Sequence, residues 1–125
     1  MATVVTNTGL ALITDLLTGL GIAPKYVGWG TGAGTSAVTD TTLFTEDTTG
    51  GYARATGTPT QVTNTTTDDT FQVVGTLTAG ATLTITNVGL FNVLTSTPTL
   101  VMKADFTGVA LNSGDSIQFT LQIEF

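Results

Sequence analysis

Apolar residues recur every three or four positions near the start of the chain and every second position through most of the rest. Leu10, Ile13, Leu16, Leu17 and Leu20 keep helical spacing, which predicts one amphipathic helix over about 8–19 with its leucines packed in the core. Asn7 or Thr8 is placed to accept the free amides of the first turn, and Gly19 or Gly21 to end the helix in a left-handed residue. Pro24 closes the helical region.

From there the period is two. Ile117, Phe119, Leu121, Ile123 and Phe125 alternate with Ser116, Gln118, Thr120, Gln122 and Glu124, so the C-terminal segment reads as a strand with one wet face. Leu100, Met102, Ala104 and Phe106 alternate with Val101, Lys103 and Asp105, and Phe71, Val73, Gly75 and Leu77 alternate with Gln72, Val74, Thr76 and Thr78. Between Ala81 and Phe91 the apolar phase runs through Leu83 and Ile85 and then slips to Val88 and Leu90, which predicts a β-bulge near Thr86 and Asn87. Shorter strands are expected at 25–29, 52–57 and 59–64. Turns are expected at Asn112–Asp115, at 79–81 and at Thr97-Pro98. Six to eight short strands and one helix predict a mainly β fold in a single domain, residues 1–125: an antiparallel β-sandwich, jelly-roll-like. The stretch 35–51 has weak periodicity and reads as a long loop.

Composition narrows the chemistry. Roughly a quarter of the residues are threonine and only 10% are charged, so the outer faces are hydroxyl-rich and sparsely charged. Three basic residues, Lys25, Arg54 and Lys103, stand against nine acids, too few cations to neutralise many phosphates, and nucleic acid is not an expected partner. Without cysteine or histidine there is no thiolate nucleophile, no serine-histidine-acid arrangement and no imidazole metal ligand. No catalytic residue, cofactor or metal is expected. A signal peptide and a membrane span are also not expected, which points to synthesis in a cytoplasm.

Two patterns resemble binding motifs without completing them. Tyr26-Val27-Gly28-Trp29-Gly30-Thr31-Gly32-Ala33-Gly34 lacks both the lysine of a Walker loop and the spacing of a dinucleotide turn. Its alternating glycines suit a strand that another backbone or ring approaches closely. Trp29 then reads as a core anchor, with a contact buried by a neighbouring subunit as the alternative, and Phe44 is the main aromatic expected on a loop. These two are the candidate interface residues. Asp68-Asp69 and Glu46-Asp47 are adjacent pairs, and Asp40, Glu46 and Asp47 lack the spacing of a calcium loop, so all read as solvated charge.

The order of segments carries a resemblance over nearly the whole chain. Asn7-Thr8-Gly9-Leu10, then IAPKYVGWGTGAG, TDTTLFTED followed by Arg54, DDTFQVVGTLTAGATLTITNVGLFN and LNSGDSIQFTLQIEF resemble small virion structural proteins of tailed bacteriophages. The glycine-leucine-phenylalanine after a threonine-rich strand also looks like pieces of tail-fibre and tail-associated proteins. The resemblance implies a non-enzymatic β-domain of the virion, most similar to capsid cement or decoration proteins that bind the major capsid protein on the outside of the shell, with a tail, fibre or baseplate role as the alternative. The apolar surface expected of the helix and sandwich adds a homo-oligomer, with a trimer favoured.

Overall fold

In a computed structural model, described over residues 1–48, 54–95 and 97–125, the elements run β1 (Thr3–Val5), α1 (Asn7–Leu17), β2 (Tyr26–Gly30), β3 (Arg54–Thr56), β4 (Thr58–Val62), β5 (Thr70–Thr78), β6 (Leu83–Phe91), β7 (Leu100–Leu111) and β8 (Ser116–Glu124). All strand pairs are antiparallel. They form a five-stranded sheet in the order β1-β7-β6-β2-β3 and a three-stranded sheet in the order β4-β5-β8. The mainly β class with one short helix is as the sequence predicts.

The two sheets share one core. Val27 and Trp29 of β2, Leu90 of β6 and Met102 of β7 meet Val73 and Leu77 of β5 and Leu121 and Ile123 of β8. At its centre Trp29 is 1% exposed, and its ring lies edge-on to Phe119 at 6.3 Å and 87°, the geometry in which the positive edge of one ring meets the negative face of another. Trp29 is therefore a core anchor within the chain.

The phase slip in β6 is a bulge. The β6–β7 register shifts between Ile85, which pairs with Val109, and Asn87, which pairs with Asp105, so Thr86 alone is set against residues 106–108 of β7, and Ile85 and Val88 on either side of it are both buried. β1 is too short to show a period, and β7 runs five residues beyond Phe106. Residues 52 and 53 of the expected strand 52–57, and 49–51 of the expected loop, lie outside the described residues.

The helix ends at Gly19 as the sequence reading has it, but its N-cap and its orientation differ. Thr6, not Asn7 or Thr8, is the N-cap: its hydroxyl accepts the Gly9 N–H at 3.0 Å and donates to the Leu100 carbonyl. The far end closes as a Schellman turn, with Gly19 left-handed at φ +85° and Leu20 N–H donating to the Asp15 carbonyl at 2.8 Å. The buried residues of α1 are Gly9 and Leu12, while Leu10, Leu17 and Leu20 point to solvent. Gly9 decides this. A Cβ there would stand 2.8 Å from the Cα of Val101, so the helix seats its glycine face on β7, and leucines one residue further along are turned about 100° away.

Candidate interaction surface

Two regions carry chemistry beyond the core: a loop strapped across the five-stranded sheet, and an apolar surface at the end of the molecule where α1 lies.

The strap is residues 31–48: Thr31 and Gly32 donate to the Thr45 and Phe44 carbonyls and Glu46 bridges Gly30 beside the end of β2, while Asp40, Thr42 and Phe44 are held over the outer face by Lys103 of β7 and Asn87 of β6. Gly28 and Gly89 stand opposite one another on that face, and side chains there would collide with what covers them. A Cβ on Gly28 would come 2.9 Å from Glu46 Oε2, and one on Gly30 would strike the Phe44 carbonyl. The alternating glycines thus clear a track for a backbone, as their spacing suggested. Asn87, beside the bulge, clamps that backbone at two points: its Oδ1 accepts the Phe44 N–H at 3.0 Å and its Nδ2 donates to the Phe44 carbonyl at 3.1 Å. Leu43 fills a small second core with Phe91 and Leu100 beneath the strap.

Charge completes the fastening. Lys103, which alternates with the apolar residues of β7, is 1% exposed. Its ammonium donates to Asp40 Oδ2 at 3.0 Å and to the Thr42 carbonyl at 2.9 Å, and it lies 3.2 Å from the centre of the Phe44 ring. The strap explains the burial, since it covers that face and supplies three partners to a cation that burial would otherwise penalise. Arg54 repeats the arrangement, pairing with Glu46 at 3.0 Å, donating to the Leu94 carbonyl at 3.1 Å and lying over the Phe91 ring. Asp40 titrates below the ordinary aspartate value, chiefly because the Ala37 N–H donates to it, with Lys103 adding to the effect against the cost of burial. Asp105 is lowered first by the Ser36 N–H at 2.7 Å. Asp69 is lowered too, by the N–H groups of Thr66 and Asn64 ahead of the Thr70 hydroxyl and the Thr65 N–H. These carboxylates brace loops and are not arranged as acid and base about a shared point. Among the described residues no group of three or more carboxylates gathers into a metal-binding cluster.

The structure therefore separates the two candidate interface residues. Trp29 faces the core, and Phe44 is half-buried on the opposite side of the sheet beneath the reach of Lys103. Neither offers a free ring. The strap also withdraws two of the three basic side chains from the surface. Lys25, the third, is half-buried with its ammonium 5.6 Å from the Tyr26 ring.

Exposed apolar area lies instead around α1. Leu17 is 83% and Phe125 73% exposed, and Leu10, Leu20 and Ile22 are each more than half exposed. Between Leu17 and Phe125 opens an entirely apolar groove of about 210 Å³, floored by Ile13, Leu16, Phe71 and Ile123. Phe71 and Phe125 also line a separate, wider hollow of about 410 Å³ that reaches Pro59 and Asp68. The sequence held these leucines but assigned them to the core. The signal that they face outward is Gly9 in the first helical turn, and it gains meaning only once Val101 is known to lie against it. Among the described residues no helix is long and apolar enough to cross a membrane. No family model, curated protein or solved structure matches the chain.

Proposed function

We propose that the chain is a non-enzymatic structural protein of a tailed-phage virion, a capsid cement protein that binds the major capsid protein on the outside of the shell. The observation that carries this reading is the exposed apolar end formed by Leu10, Leu17, Leu20, Ile22 and Phe125, set on a two-sheet body whose outer face is locked by a strap and two ion pairs. Contiguous apolar surface on a small domain marks a contact site. The order of segments that resembles virion proteins supplies the setting, and within it the two sheets are a variant of the jelly-roll sandwich.

A cement protein has to be rigid, unreactive and indifferent to nucleic acid, because it bridges shell subunits around compressed DNA. Rigidity comes here from the double-sided burial of the five-stranded sheet. Indifference to phosphate follows from a net charge of −6 and the sequestration of Lys103 and Arg54. Many such contacts acting together make shell separation require the loss of all of them.

The test is co-sedimentation of purified protein with phage heads stripped of accessory proteins and, separately, with isolated tails. Saturable binding to heads at many equivalent sites, with a higher temperature for DNA release, is the expected result. Binding to tails or fibres alone would replace the cement role with a tail role, and binding to neither would end the virion reading.

A further inference from the structure

Three of the four outermost strands are blunted against pairing with another chain. β1 is three residues long, β3 has three residues among those described, and β4 carries Pro59, which has no N–H to offer. β8 is nine residues long, contains no proline and has no charge before Glu124. An edge of that kind is a template for a further strand unless something covers it.

Its open hydrogen-bonding groups can be named. Phe125 N–H donates to the Asp69 carbonyl at 2.9 Å, and Ala79 N–H donates to the Asp115 carbonyl at 2.8 Å. Alternation along an antiparallel ladder then directs the main-chain groups of the odd-numbered residues to β5. It turns the N–H and C=O of Ser116, Gln118, Thr120, Gln122 and Glu124 outward, where none has a partner among the described residues.

We propose that β8 pairs with β8 of a second copy, antiparallel about a two-fold axis at Thr120, to form one six-stranded sheet. The edge is self-complementary in that register. Outward-facing residues meet outward-facing residues along the whole strand, Thr120 against itself, Gln118 against Gln122 and Ser116 against Glu124, so every open group is satisfied and no carboxylate opposes another. On the polar face Gln122 already donates to Gln72 at 2.7 Å, and the pairing continues that amide row across the axis. On the apolar face Ile117 meets Ile123 and Phe119 meets Leu121, giving cover to the half-buried Ile117 and Phe119. A trimer closed through this edge would need it to meet a different edge of the next copy, and the other three are the blunted ones. The contact is therefore a dimer contact, and it stands independently of the virion reading.

Sedimentation and amide hydrogen exchange on the full chain test it together. The expected mass at high micromolar concentration is twice 12.8 kDa, with the amides of Gln118, Thr120 and Gln122 protected and becoming exposed to exchange on dilution. Thr120→Pro removes only an outward N–H and leaves the β5 ladder whole, so it should fold and sediment at the mass of one chain. Gln118→Lys combined with Gln122→Lys, which opposes like charges across the axis, should do the same without any backbone change. A wild-type chain that remains a monomer would overturn the proposal. So would a dimer in which those three amides exchange freely, or one that survives both variants.

Discussion

The ammonium of Lys103 lies 3.0 Å from the carboxylate of Asp40, sixty-three residues earlier in the chain, and is shut from solvent by the loop that carries that carboxylate. One buried cation thus ties the strap to the middle of the five-stranded sheet. Removing it should cost more than a surface ion pair, because the Thr42 carbonyl and the Phe44 ring lose their partner as well. We expect Lys103→Ala to destabilise the fold by about 3 kcal/mol, the lower end for breaking a buried pair, since Asp40 retains contact with water. Lys103→Met, which keeps the stem, should lose less when combined with Asp40→Asn. Urea midpoints for the single and double variants measure both.

Acid should loosen the strap in a defined direction. Asp40 and Asp105 are held below the ordinary aspartate value by the N–H groups of Ala37 and Ser36, with Lys103 also acting on Asp40. A depressed folded-state pKa gives stability that is fully present above the unfolded value of about 3.9 and is lost as pH falls through the lower folded values. The strap's contribution is therefore intact at neutral pH and erodes below about pH 4. Urea midpoints followed against pH should fall less steeply in acid for Asp40→Asn with Asp105→Asn than for the parent. An unchanged acid slope would show that these two carboxylates do not set it.

Trp29→Ala empties the largest fully buried side-chain site of the core and should cost about 3–5 kcal/mol. Trp29 is the chain's one tryptophan, so native fluorescence should be blue-shifted and move to the red in step with loss of β circular dichroism. A variant that melts like the parent would contradict the placement of Trp29.

What was legible in the sequence depended on whether one face stayed wet. β8 reads directly because Gln118, Thr120 and Gln122 face solvent between apolar neighbours. The bulge at Thr86 reads as well, since a shift of phase is itself a local pattern. The burial of Lys103 does not read, because a distant loop covers its face and nothing within 100–106 records that loop; the glycines at 28, 30 and 89 record it only indirectly. The exposed leucines of α1 misread for a similar reason. Leucine at helical spacing names a face, but the contact of Gly9 with Val101, ninety-two residues away, chooses which face turns inward.

The apolar end of the molecule is where the account is most exposed to refutation. Leu17 and Leu20 take little part in the core, so Leu17→Ser with Leu20→Ser should leave the melting temperature near that of the parent. Each leucine buried in a contact contributes about 1.5–3 kcal/mol. The most direct measurement is a binding titration of stripped phage heads with the parent and with this double variant. The account predicts saturable binding by the parent and an affinity at least roughly tenfold weaker for the variant. Equal binding by the two folded proteins, or no binding of the parent to heads, would contradict it.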